Sequence, residues 1–271
     1  MLGTRIVTAV VLLLAFSIDL FFATVDVFAL VLAFVVAAAA WEWGRLCGLV
    51  NEHLQTGYAA VVGLLVLGGL YLPQQTTVLH WPLLIGFLFW LAAGAVLYLI
   101  PVKAPILKTD WTYLLLGILV ILIASVAVQY LRSYAPYASP WLLLYSLAVI
   151  WTMDTGAYFS GRYFGKIKLA PLISPGKTRE GVYGGLLVTG LLMLIVLLSA
   201  DWAADNRLKL IIATVLAAFA SVLGDLFESR IKRAADRKDS SQLLPGHGGV
   251  LDRIDSVLAA VPVFAFAWAW L

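Results

Sequence analysis

The 271-residue sequence predicts an all-α, polytopic integral membrane protein of about nine transmembrane helices with its N-terminus in the cytoplasm. Three observations carry that expectation. The chain is 63% hydrophobic and only 12% charged, with a mean hydropathy of +0.98, more apolar surface than a soluble domain of this size can hide. Apolar windows of about the length that spans a bilayer recur along it. Its cations segregate to one side of the membrane when those windows are threaded in alternation.

The windows fall at residues 4–23, 26–46, 57–73, 82–101, 111–130, 140–158, 182–200, 208–228 and 250–270. The first is read as a retained span, because Arg5 alone charges its start and Ser17-Ile18-Asp19-Leu20 offers no small-x-small cleavage site. With the N-terminus inside, all of the 18 Lys and Arg except Arg132, Arg207 and Lys209 fall on the cytoplasmic side, as the positive-inside rule requires. Reversing the chain or dropping one span destroys the separation. Trp41, Trp43, Trp81, Trp111, Trp141, Trp202, Trp268 and Trp270 sit near window ends, as interfacial anchors do. The lone Cys47 excludes an internal disulfide.

Residues 1–150, five spans and the start of a sixth, are plain. Asp19, Asp26, Glu42, Arg45 and Glu52 read as solvated helix ends, and His53 and His80 have no partners at ligand spacing. Residues 151–271 form the candidate catalytic region, with cytoplasmic loops at 159–181 and 229–250. Asp154 lies inside an apolar run, where a charge costs about 2.5–3.5 kcal/mol and calls for a partner or a wet cavity. The following loop reads as flexible, glycine-rich and basic, with Ser174, Lys177 and Thr178 able to donate to phosphate oxygens. Gly176-Lys177-Thr178 is no P-loop, since Pro171 stands where the first glycine belongs and no strand precedes it.

Ser221, Asp225, Glu228, Ser229 and Lys232 share one helix face by their spacing, and Asp252, Asp255 and Ser256 share another on the re-entering helix. The two helices are antiparallel, so Asp225, Asp252, Asp255 and Asp239 can converge. Carboxylates gathered near a low dielectric repel one another unless a cation intervenes. Oxygen ligands without His or Cys pairs select Mg²⁺ rather than zinc. Lys232, Arg233, Arg237 and Lys238 suit phosphate, and the glycines of Pro245-Gly246-His247-Gly248-Gly249 permit a turn whose amides face an anion. Metal-holding carboxylates beside phosphate-holding cations are the equipment of phosphoryl or nucleotidyl transfer. An ion-coupled transporter would bury its carboxylates nearer the midplane on broken helices.

The stretch Ser229, Lys232-Arg233, Lys238-Asp239, Pro245 to Gly249, and Asp252-Arg253-Ile254-Asp255 closely resembles the signature of the phosphatidate cytidylyltransferases, the CDP-diacylglycerol synthases. Gly224-Asp225-Leu226-Phe227-Glu228-Ser229, Asp154-x-x-Ala157-Tyr158, Gly161-x-x-Phe164-Gly165-Lys166 and Ser174-Pro175-x-Lys177-Thr178-x-Glu180-Gly181 resemble the same family. So does Ala39-Ala40-Trp41-Glu42-Trp43, as in bacterial members. Arg179 departs from the family's usual aromatic. The D-G-x-x-A-R signature of CDP-alcohol phosphotransferases is absent, and a polyprenol kinase of related fold is the nearest rival.

The resemblance implies CTP plus phosphatidate giving CDP-diacylglycerol plus pyrophosphate, at the cytoplasmic face of a bacterial inner membrane. It implies Mg²⁺, with K⁺ a candidate second cation, a homodimer, and no nucleic-acid partner. On it, Asp225 and Asp252 are the principal metal ligands, with Asp255 a third and Asp239 a further candidate. Lys232, Arg233, Lys238 and His247 are assigned to catalysis. Ser174, Lys177, Thr178, Ser229, Gly248, Gly249, Arg253 and Asp154 are assigned to substrate binding.

Overall fold

The computed structural model describes residues 2–69, 76–99, 109–134, 140–200, 203, 206–244, 246 and 248–271. Among these, nine α-helices stand where the apolar windows predict them: α1 (Leu2–Phe22), α2 (Val25–Leu46), α3 (Glu52–Gly68), α4 (Thr76–Leu99), α5 (Trp111–Gln129), α6 (Trp141–Phe164), α7 (Arg179–Ser199), α8 (Arg207–Ala234) and α9 (Leu251–Trp270). Seven segments, in α2 and in α4 to α9, are long and apolar enough to cross a membrane. α3, at 17 residues, and the apolar stretch Leu13–Phe22 of α1 are shorter.

Short polar residues start the helices by accepting from the orphan amides of the first turn. The Asp110 carboxylate accepts from the amides of Thr112 (3.0 Å) and Tyr113 (3.3 Å), and the Asn51 side chain from that of His53 (2.8 Å). Lys103 and Lys108, expected at the cytoplasmic end, and the predicted anchor Trp202 lie outside the described residues.

α9 is the hub, packing against α8, α5, α4, α6 and α2. One apolar cluster joins α9 to α6 and α8 through Tyr145, Met153, Ala213, Ala217, Phe264 and Trp268; the other joins it to α2 and α5 through Trp43, Cys47, Ile121 and Leu258.

Two features differ from the sequence reading. The basic stretch after α6 is not a flexible loop: it contains an antiparallel hairpin of β1 (Lys168–Ala170) and β2 (Ser174–Thr178), pairing Lys168 with Thr178 and Ala170 with Ser174. Gly176-Lys177-Thr178 therefore lies on a strand. The glycines around it also serve a different purpose. A Cβ on Gly156, Gly181 or Gly185 would come within 3.0 Å of backbone on the facing helix, so these glycines let α6 and α7 touch backbone to backbone.

Candidate active site

The seam between α8 and α9 sets the depth of the acidic groups. Gly224 presses against Asp255, and an added Cβ would lie 2.5 Å from the Asp255 carbonyl oxygen. This brings Asp225 level with Asp255 across the seam. On the α8 face predicted from spacing, Asp225 accepts from the Ser229 hydroxyl (3.1 Å). Its other oxygen meets Lys177 Nζ at 2.5 Å, which ties the hairpin to α8.

Lys232 lies deeper in the protein. Its ammonium sits between Glu228 Oε2 (2.5 Å) and Asp252 Oδ1 (2.7 Å), clamping the two helices together. Glu228 is 1% exposed, and neither of its oxygens has a well-aligned hydrogen-bond donor. The seam thus holds four carboxylates, of Asp225, Glu228, Asp252 and Asp255, against the two ammonium groups of Lys177 and Lys232.

Asp252 is enclosed by the signature loop. Besides Lys232, it accepts from the Ser240 amide (3.0 Å) and the Gly249 amide (2.9 Å), and the Ser240 hydroxyl oxygen lies 3.0 Å from its Oδ2. The Gly249 amide therefore faces this internal carboxylate rather than an outside anion. Gly246 and Gly248 have φ of 77° and 81°, a left-handed backbone that favours glycine, and Leu244 donates to the Gly248 carbonyl (2.9 Å) to close the turn. Pro245 and His247 lie outside the described residues.

A cavity of about 550 Å³ opens between α6, α7, β2 and α8. Asp154, Arg162, Lys177 and Asp225 charge its wall, and Met153, Val182 and Val222 make the rest apolar. Asp154 thus has the wet cavity that its depth requires. Thr178 lines it too, but its hydroxyl caps α7 by accepting from the Gly181 amide (3.1 Å). Ser174 opens β2, and Arg253 lies exposed on the first turn of α9. Arg233 reaches the carbonyls of Ile173 (3.3 Å) and Arg237 (3.4 Å), bracing the hairpin against the loop. Lys238 and Asp239 stand apart from Asp225, lining a second cavity of about 430 Å³ with Arg45, Arg237 and Ser241. Among the described residues no three carboxylate, His or Cys side chains form a ready-made metal cage.

Residues 3–271 match the model of the cytidylyltransferase family. The chain belongs to that family. It is 42% identical over 270 residues to a phosphatidate cytidylyltransferase of Pseudomonas aeruginosa, covering 99% of this chain and 98% of the relative. A phosphatidate cytidylyltransferase of Haemophilus influenzae is 38% identical over 289 residues, with 98% of both chains covered. One from Bacillus subtilis is 46% identical over 127 residues, 47% of each chain. This cytidylyltransferase is accordingly a nucleotidyl-transferring enzyme built as an all-α membrane protein.

Two carboxylates of this cytidylyltransferase lay outside the predicted site. Glu228, on the same α8 face, is buried and ion-paired to Lys232. Glu42, a solvated helix end on sequence alone, is instead fully buried against the signature loop. The one available signal was its place inside the apolar run Ala39-Ala40-Trp41-Glu42-Trp43, where a charge has no water to reach.

Proposed function

We propose that this cytidylyltransferase makes CDP-diacylglycerol from CTP and phosphatidate at the cytoplasmic end of its helix bundle. A phosphate oxygen of phosphatidate attacks the α-phosphorus of CTP. The bond from that phosphorus to the bridging oxygen breaks, and pyrophosphate leaves with the electron pair. The attacking monoester has a second pKa of about 6 and is largely dianionic at neutral pH, so no strong general base is needed. What the protein must supply is alignment and charge cancellation between two polyanions.

The observation that carries this reading is the Lys177–Asp225 pair, 2.5 Å apart on the wall of a cavity that is charged on one side and apolar on the other. The charged side suits phosphates, and the apolar side suits the glycerol end of a lipid. Lys177 and Arg162 are the cations placed to orient phosphate oxygens, and Asp225 keeps Lys177 directed into the cavity. The excess of carboxylate over ammonium charge along the α8–α9 seam, with Lys232 shared between Glu228 and Asp252, suits a divalent cation. Asp225 and Asp255 would hold Mg²⁺, which typically takes one or two carboxylates and completes its shell with water and phosphate oxygens. When bound, Mg²⁺ supplies Lewis-acid neutralisation of the triphosphate charge. Asp252, with Lys232 and the amides of Ser240 and Gly249 as donors, serves in this reading to hold the loop and Lys232 in place.

The cytoplasmic orientation is supported by where the cations collect. Arg45, Arg162, Lys166, Lys177 and Arg237 lie at the same end of the helices as the site, whereas Arg132 and Arg207 lie at the other. A homodimer, carried by the family resemblance, belongs to the same proposal and is read by light scattering of the detergent-purified protein.

The test uses purified protein, phosphatidate vesicles, Mg²⁺ and CTP labelled on its α-phosphate. Label should enter the lipid fraction with stoichiometric pyrophosphate. Label entering lipid only from the γ-phosphate would make the protein a lipid kinase, and no transfer at all would refute the reading.

A further inference from the structure

Among the described residues Glu42 is the most thoroughly buried carboxylate, at 0% exposure, and its donors are neutral. It lies near the end of α2. Each oxygen takes one hydroxyl and one amide: Oε1 from Ser241 Oγ (2.5 Å) and Val250 N (3.0 Å), Oε2 from Ser240 Oγ (2.9 Å) and Leu251 N (2.6 Å). A carboxylate taken out of water without a cation stays favourable only when its lone pairs are filled by good donors. Here two of the donors are amides at the start of α9, where the helix dipole also favours negative charge. Val250, at the N-cap of α9, has helical backbone angles and no side-chain cap of its own. Glu42 therefore caps α9 from a helix more than 200 positions earlier in the chain.

The cap sits one hydrogen bond away from the reacting region. Ser240 Oγ lies 2.9 Å from Glu42 Oε2 and 3.0 Å from Asp252 Oδ2, linking the two carboxylates through a single hydroxyl. Gly249 is packed so closely beneath that a Cβ would sit 2.6 Å from both Glu42 oxygens. The first turn of α9, thus fixed, carries Asp252 and Asp255.

We infer that Glu42 is a positioning residue for nucleotidyl transfer, fixing Ser240, Ser241 and the start of α9 so that Asp255 faces Asp225 across the α8–α9 seam at the distance the reaction needs. The inference rests on the reading of Asp225 and Asp255 as the transfer site. Glu42 touches no substrate; it acts through Ser240, Ser241 and the amides of α9. Replacing it with Gln removes the fit, because the new amide nitrogen would point its hydrogens at a backbone N–H whichever way it turned.

The test compares Glu42→Gln, Glu42→Asp and Ser241→Ala in the full-length protein, with Asp225→Asn and Asp255→Asn as controls. Three readouts are needed: kcat and KM for CTP and phosphatidate, Mn²⁺ binding without substrates by electron paramagnetic resonance, and amide hydrogen exchange. For Glu42→Gln, kcat should fall about 10–100-fold, the range for residues that orient metal-site ligands. KM for phosphatidate should stay within about threefold, and Mn²⁺ affinity should fall by a factor comparable to that in kcat. Amides around 249–252 should exchange faster. Glu42→Asp should recover part of both losses, and Ser241→Ala should show a smaller change in the same direction. A merely structural role would lower the yield of folded protein while leaving Mn²⁺ affinity and the kcat of the folded fraction unchanged, which overturns the inference. If Glu42→Gln does not accumulate in membranes, wild-type kcat and Mn²⁺ affinity in Ser241→Ala overturn it instead. Full activity in Asp225→Asn and Asp255→Asn would show that the site reading itself has failed. Their inactivity beside a normal Glu42→Gln would show that only the positioning role has.

Discussion

Lys177 and Lys232 are both lysines within reach of an aspartate, yet their surroundings give them different work. Lys177 is 26% exposed and pairs with an aspartate that is itself 28% exposed, on a cavity wall. Such a pair adds at most about 1 kcal/mol to stability, so Lys177→Met should leave the thermal midpoint in detergent nearly unchanged. Its loss should show in turnover, which should fall about 10²–10³-fold as for other removed charge-stabilising groups. Lys232 is the reverse case, clamped between Glu228 and Asp252 with little access to solvent. Lys232→Met strands the buried Glu228 carboxylate and strips Asp252 of its cation, and should destabilise the protein by about 3–5 kcal/mol. Adding Glu228→Gln should recover part of that loss, and a thermal melt of the single and double variants checks it. Asp225→Asn and Asp255→Asn should insert normally and lose transfer activity, which fluorescence-detected size exclusion and the α-phosphate assay would read together.

At the scale of elements, the α8–α9 pair depends on a contact that only glycine allows. Gly224→Ala would force backbone apart at Asp255, with an overpacking cost of about 1–3 kcal/mol, and should lower both the melting temperature and kcat. A variant with unchanged kcat would show that the seam tolerates a wider gap than proposed. This seam was legible in the sequence, because Asp225, Ser229 and Lys232 keep helical phase and the returning helix brings Asp252 and Asp255 with it. The hairpin was not. Three residues from Lys168 to Ala170 are too short to show strand periodicity, and a basic, glycine-containing run between spans looks like a topogenic loop. The small-residue contact of α6 with α7 was hidden for the same reason, since the same glycines serve equally for turns and for close helix packing. Glu42 was hidden more deeply. Its donors come from the far end of the chain, and no local pattern announces a cap supplied from a distance.

For the whole molecule, the bundle can be checked with its own single thiol. Cys47 is fully buried, and burial, reinforced by the nearby Asp110 charge, pushes its thiol well above the usual range. A membrane-impermeant maleimide should therefore leave the native protein unlabelled, giving a clean background for introduced cysteines. Gly176 has open space around it, and Arg207 is exposed at the opposite end of the helices. Gly176→Cys should label only from the cytoplasmic side and Arg207→Cys only from the outside; the reverse result would turn the protein over in the membrane. The Glu42 cap also has a consequence in time. Ribosomes add about 5–20 residues per second, so the 208 positions from Glu42 to Val250 correspond to roughly 10–40 s of synthesis. During that interval α2 is already in the bilayer with an acceptor whose donors have not yet been made. The signature loop and α9 follow later and dock onto an anchor already laid down by α2. The site is thus assembled well after α2 is in place, and a chain that stops short of α9 leaves Glu42 without the donors that make its burial tolerable.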